Sequence, residues 1–223
     1  MNIIQRSMIQ KIIDTIAFPL RAFTIFEEDK WGLSSLRTDR CDYSAGEVQG
    51  YTLDVGCGPD NWFIQHNLQG NGIGIDVFKY RGLSDENIVE DITHFPFPDA
   101  TFDTVTFIAN LNHVPRSQRD IELAEAYRVL KPGGNILVTM TNALALLVVH
   151  RVVEWYDRIF KTRHDMDNIR GMGHEEEYYL KDEEIRSRLH KAGFTNLQKK
   201  RFPTVWGLNW VTIGWKKDQN LSQ

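Results

Sequence analysis

The sequence predicts an α/β fold whose sheet is largely parallel. Short segments rich in β-branched and aromatic residues recur along the chain, amphipathic segments separate them, and two of the short segments close on a glycine turn and on an acid. Strands alternating with helices at this spacing place helices against a parallel sheet. At 223 residues, with 42% hydrophobic and 25% charged residues, the chain can bury a core without disulfides or metal. It reads as one domain over 1–223. Residues 1–46 form an N-terminal helical cap and linker, and 47–217 form the core with an insertion at 143–180.

In the cap, Ile9, Ile12, Ile13, Ile16, Leu20 and Phe23 recur at helical spacing, and Pro19 is expected to kink or end that helix. Its apolar face either packs on the domain or lies on a membrane surface or over a substrate, a peripheral contact through 1–26. Residues 31–50 are polar and turn-rich. Tyr51–Val55 reads as a first strand, Asn61–Leu68 as a helix, Gly72–Asp76 as a second strand, Asn87–Glu90 as a weak third and Phe102–Ile108 as a strong fourth. Ser117 with Asp120 three residues on resembles a capping box, and Lys131-Pro132-Gly133-Gly134 is expected to end the helix that follows. Asn135–Met140 is a fifth strand, and a long apolar helix covers 143–160. A helix over 182–192 precedes two closing strands, Phe194–Arg201 and Val205–Trp215.

Lys+Arg total 26 against 30 Asp+Glu, a formal net charge of −4. The basic excess of a nucleic-acid binder is missing. Cys41 and Cys57 are the two cysteines, with no Cys-x-x-Cys or His/Cys cluster, so no metal site is expected. No signal peptide is legible, and the longest apolar run, Ala143–Val149, is too short to cross a bilayer. A reducing, cytoplasmic setting is expected.

Leu53-Asp54-Val55-Gly56-Cys57-Gly58-Pro59-Asp60 carries the chemistry. A strand delivers a carboxylate, then turns through two glycines that let a ligand approach the backbone. A dinucleotide-binding turn would need a third glycine at Asn61, and the acids Asp54 and Asp60 serve a cationic ligand better than a phosphate. Asp76 lies 76 − 54 = 22 residues past Asp54, the spacing at which an acid takes ribose hydroxyls. A nucleoside without phosphates but with an amino group points to S-adenosylmethionine.

LDVGCGP, GIDVF, EDITHFPFPDATFDTVTF and RVLKPGGNILVT, in this order, resemble the class I S-adenosylmethionine-dependent methyltransferases, most closely the small-molecule branch with ubiquinone/menaquinone-type enzymes. The blocks span Leu53 to Thr139, and HKAGF is similar to the family's closing helix. The resemblance implies a Rossmann-like three-layer sandwich with seven strands in the order 3-2-1-4-5-7-6, the last antiparallel. It implies Asp54 beside the methionine amino group, the Gly56-Cys57-Gly58 turn along the methionine, Asp76 on the ribose, and Val77 or Phe78 on adenine. Asp91 would contact the adenine amino group, with Ile92 beside the ring, and Ala109 to His113 would border sulfonium and acceptor. Asp60 stands where many relatives have a third glycine.

Each acid also has a bland reading: Asp54 as a turn cap, Asp76 as a strand-end acid, and Asp91 as surface charge. His113 is the first candidate for a general base, or else a loop histidine bonded to backbone. His174 and Tyr178, with Tyr179, fall where the family contacts its acceptor; His164 and Tyr156 are weaker candidates, and Trp206 and Trp210 are expected to pack near the closing strands or else to line a pocket. The expected acceptor is a small molecule: lipid-like, aromatic, or of the glycan type that WGLSSLR resembles. Oligomeric state is not legible. A catalytically silent S-adenosylmethionine-binding partner protein and a nicotinamide-dependent oxidoreductase remain the alternatives.

Overall fold

The computed structural model describes residues 5–23, 30–142, 175–177 and 179–218, together with residues 151, 155, 158 and 159. Among these, six strands form one sheet in the order β2-β1-β3-β4-β6-β5. They are β1 (Thr52–Val55), β2 (Gly72–Ile75), β3 (Phe102–Ile108), β4 (Leu130–Thr141), β5 (Thr195–Arg201) and β6 (Asn209–Trp215). Parallel pairing joins β1 to β2 and β3, and β3 to β4; β6 runs antiparallel to β4 and β5.

The sheet is sandwiched because its side chains alternate between two cores. Ile136 and Val138 of β4 face Leu123, Ala126 and Val129 of α4 (Arg119–Val129) and Ile185 and Leu189 of α5 (Asp182–Lys191). Leu137, Val211 and Ile213 point the other way, onto Cys41 and Ala45 of α3 (Leu36–Ala45) and onto Phe63, Ile64 and Leu68. The three-layer α/β architecture matches expectation, with six strands in place of seven. Residues 87–90 supply only a parallel bridge, Asp76 to Ile88, beside β2. Asp85–Asn87 is drawn into a 3₁₀ turn, and Asn87 Nδ2 donates to the Gly74 carbonyl at 2.7 Å, so a side chain does part of the missing strand's work.

Other boundaries differ from expectation. Asn61–Leu68 is not an α-helix: a 3₁₀ turn at Pro59–Asn61 leads into a π-helical turn at Phe63–Asn67. Ser117 does not cap α4, because its hydroxyl donates to Glu175, and Asp120 pairs with Arg188 and Lys191 instead. Lys131–Gly134 belongs to β4, which starts at Leu130 opposite Phe102 and resumes regular pairing at Asn135. Pro203–Val205 is a 3₁₀ turn before β6. The helix expected over 143–160 lies almost wholly outside the described residues.

The cap reverses the packing expected of it. Its helices are α1 (Met8–Ile16) and α2 (Phe18–Phe23), broken at Ala17, with Pro19 in the first turn of α2 where its missing N–H costs nothing. The apolar face points outward: Ile9 is 71% exposed and Ile16 76%, with Ile12, Ile13 and Leu20 also exposed. Those isoleucines do not pack on the domain; the face that a membrane-surface reading needs open is open. Polar residues point inward. Buried Arg21 donates to the carbonyls of Ser34 and Thr204 and to Asp39 Oδ2 at 2.7 Å. Arg6 pairs with Asp14, Asp39 and Asp42. Burial pulls the Arg6 pKa down, but those three carboxylates outweigh it and hold the guanidinium above its ordinary value. Two arginines and three aspartates thus fasten the cap to α3.

Candidate functional site

β1 ends at Val55 and the chain reverses through Gly56 (φ +73°) and Gly58 (φ +63°). A Cβ on Gly56 would stand 2.2 Å from Asn110 Cγ, so only glycine fits there. At Gly58 a Cβ would meet nothing within 4 Å; that backbone faces open space. The N–H groups of Gly56 and Cys57 donate to the Ile75 carbonyl, tying the turn to β2. Asp76 locks it further: Oδ2 accepts from Gly58 N at 3.0 Å and Oδ1 from Phe78 N at 2.9 Å. The bland role of Asp76 is therefore real, and a carboxylate still keeps acceptor sites for ligand hydroxyls. Asp60 sits at φ +60°, the left-handed conformation that glycine adopts freely, and is held by Arg81 at 2.8 Å.

A cavity of about 610 Å³ opens at the carboxyl ends of β1, β2 and β3, where open α/β sheets bind ligands. Of the sequence-derived site residues, Gly56, Gly58, Asp76, Val77, Asp91, Ile92, Ala109 and His113 line it. Asp91 is on the rim, its carboxylate bonded to Thr93 N and Oγ1, which holds its pKa below the ordinary value. Ala109 adopts φ +52° as its N–H reaches Thr139 Oγ1 at 2.9 Å.

Asp54 and Cys57 do not line the cavity. Asp54 is buried beneath the turn, where Thr106 Oγ1 donates to it at 2.6 Å and burial pushes its pKa up to about 7. Expected beside a ligand ammonium, it is instead an internal prop of β1 and β3. Cys57 is buried and its thiol is raised by that burial, as suits a packing residue. Trp210 is buried in the core, and Trp206 instead bonds the Thr15 carbonyl. His174 and Tyr178 lie outside the described residues, as do His164 and Tyr156. Among the described residues no cluster suits a metal ion.

The cavity has a second end that the sequence showed only in part. His113, on the turn Leu111–His113, has Nδ1 3.6 Å from Glu176 Oε2. Glu122 of α4 lines the same end, buried, with Oε2 lacking a hydrogen-bond partner. Burial alone pushes its pKa up to about 8. Arg40 of α3 also reaches the cavity wall. Neither Glu122 nor Arg40 stood out. Arg40 lies in a stretch whose composition reads as linker, and α4 has no clean apolar stripe to mark its buried face.

The family profile described as "Methyltransferase domain" matches residues 53–138, the stretch that runs from β1 through β4. The ubiquinone/menaquinone biosynthesis C-methyltransferase UbiE of Brucella anthropi is 30% identical over 153 residues, covering 65% of this chain and 57% of that protein. The demethylmenaquinone methyltransferase of Anoxybacillus flavithermus is 29% identical over 190 residues, 74% of this chain and 78% of that protein. From β1 through β4 this chain is similar to S-adenosylmethionine-dependent methyltransferases, and it spans little more than half the length of the Brucella relative. The fold agrees with a solved structure, Burkholderia thailandensis 1,6-didemethyltoxoflavin-N1-methyltransferase with bound 1,6-didemethyltoxoflavin and S-adenosylhomocysteine. That match has TM-score 0.55 and 14% identity over 98% of this chain and 94% of the other.

The methyltransferase family's cofactor is S-adenosylmethionine, and the donor set fits it. The open Gly58 backbone would permit its close approach, Asp76 would meet the ribose hydroxyls, and Phe78 and Ile92 would face the purine.

Proposed function

We propose that this protein transfers the methyl group of S-adenosylmethionine to a small-molecule acceptor, with a hydroxylated aromatic of the quinol kind as first choice. The observation that carries this is the two-ended cavity. One end offers nucleoside contacts at Asp76, Phe78, Asp91 and Ile92. The other offers a histidine and two carboxyls, His113, Glu122 and Glu176, with Ala109 between the ends. The names of the Brucella and Anoxybacillus relatives, which record quinone acceptors, support the choice of acceptor.

When bound, the cofactor supplies an activated methyl on a sulfonium, so the chain's task is alignment and proton removal. Gly56 and Gly58 let the donor lie against the backbone, and Asp76 and Asp91 fix the nucleoside end. His113 accepts a proton from the acceptor, and Glu176, 3.6 Å from Nδ1, steadies the resulting imidazolium. A nicotinamide reading is disfavoured, because Asn61, where the third glycine of that turn would stand, is buried beside Gly74.

Incubating the protein with S-adenosylmethionine labelled in its methyl group and reduced demethylmenaquinone is the test. Label is expected in the organic-soluble product, and His113→Ala is expected to slow its appearance by about 100-fold or more. Cofactor binding without transfer to this or to other hydroxylated aromatics would instead favour the silent partner.

A further inference from the structure

Alignment of the donor and proton removal by His113 leave Glu122 without a task, yet it lines the cavity. It is 1% exposed, and its Oε2 has no hydrogen-bond partner. The nearest base along α4, Arg119, is committed elsewhere: Nε donates to the Val114 carbonyl, and Nη1 meets Glu177 and Glu184. Burial is the single cause that raises the Glu122 pKa; no hydrogen bond or charge offsets it. A polar atom buried without a match costs stability, so native structures keep one where a ligand, a water or a function requires it.

The helix sets the direction of this group. Gln118 stands one turn before Glu122 on the same edge of α4, and both line the cavity. Leu123, Ala126 and Val129 pack into the core instead. α4 therefore turns an apolar face to the sheet and a polar edge to the end of the cavity that holds His113 and Glu176. Val89, Ile92 and Val114 make other parts of the cavity wall apolar. In such surroundings a carboxyl stays protonated at neutral pH and offers an O–H as well as an acceptor oxygen.

We propose that Glu122 selects the acceptor by donating a hydrogen bond to its second ring oxygen, the one across the ring from the hydroxyl that His113 deprotonates. This rests on the hydroxylated-aromatic reading above. A ring with one hydroxyl satisfies His113 alone, whereas a ring with a second oxygen also fills the unmatched position at Glu122. Acceptors of the quinol kind carry both. The proton stays on Glu122 throughout: the hydrogen bond forms when the acceptor enters and breaks when the product leaves. An analogue without the second oxygen leaves a buried polar group unpaired, which is how a hydrogen-bonding site rejects the wrong ligand.

The experiment is calorimetric titration of the protein saturated with S-adenosylhomocysteine, below the value of about 8 at which Glu122 ionises. The two probes are 1-naphthol, with one ring oxygen, and 4-methoxy-1-naphthol, whose added oxygen can only accept. The wild type is expected to bind the methoxy compound about tenfold more tightly, the scale of one hydrogen bond. Glu122→Met is expected to bind the two alike, and Glu122→Gln, whose amide still donates, to keep most of the preference. Glu122→Leu carries the same comparison if the methionine variant does not fold. S-adenosylhomocysteine affinity is expected to stay the same in every variant. Equal wild-type affinities, or a preference that survives in the apolar variants, overturn the assignment and leave methyl transfer to hydroxylated aromatics standing. Loss of the preference in Glu122→Gln as complete as in Glu122→Met overturns the donor role. A loss of S-adenosylhomocysteine affinity in the apolar variants also overturns the assignment, since Glu122 would then serve the cofactor end. Failure of the loaded wild type to bind either probe contradicts the hydroxylated-aromatic reading itself, and the Glu122 assignment falls with it.

Discussion

Replacing Arg21 with leucine is expected to cost about 3–5 kcal/mol of unfolding free energy, the scale for removing one partner of a buried ion pair. Arg21 is 1% exposed and holds the cap through four carbonyls and a carboxylate: Ser34, Ser35, Thr204 and Asp14 oxygens, and Asp39 Oδ2. Without it, Asp39 keeps Arg6 and Thr204 among the described residues, and carbonyls buried with the guanidinium lose their donor. The expected readout is a urea midpoint shifted down, together with faster amide exchange over residues 8–23 and 36–45. A shift below about 1 kcal/mol, the range of an exposed ion pair, would show that the cap is not fastened as described.

Glu122 gives the second large effect, and it depends on pH. Its carboxyl is raised from 4.5 to about 8 by burial, so between those values the unfolded chain has released a proton that the folded chain retains. The stabilisation from this group is complete below about pH 4.5 and is lost as pH rises toward 8. Glu122→Gln has no proton to release. Its stability relative to the wild type is therefore expected to rise between pH 5 and pH 8.5, by an amount on the order of a few kcal/mol. A difference that stays constant across that range would place Glu122 in a wetter setting than the structure shows.

The parts of the fold legible in the sequence were those governed by local rules. The β1 turn could be read because Gly56 and Gly58 have few other uses between a strand and a helix, and the structure finds both at positive φ. Asp76 stands out in the sequence by its spacing from Asp54, and it lines the cavity. What could not be read depends on partners distant in sequence. The helical spacing of Ile9, Ile12, Ile13 and Ile16 is plain, but which face turns inward was decided by Asp39 and Asp42, whose charges outbid the apolar stripe. Ser117 looked like a cap until Glu175, 58 residues on, took its hydroxyl. Asp54 looked like a ligand contact because its place in the motif says nothing of depth, and Thr106 on the neighbouring strand turns it inward. Arg40 left no periodic signal, since a single long side chain reaching a cavity does not alter the pattern of its helix.

The central claim is that the cavity beside the Gly56–Gly58 turn holds an S-adenosyl nucleoside. Titration calorimetry with S-adenosylhomocysteine, run beside NAD and repeated on Asp76→Ala, tests it most directly. The account predicts saturable one-site binding of S-adenosylhomocysteine, none of NAD, and a loss of at least about tenfold in the folded Asp76→Ala variant, the scale of a hydrogen bond to a charged group. Binding of NAD in place of S-adenosylhomocysteine, or an Asp76→Ala affinity equal to that of the wild type, would contradict it.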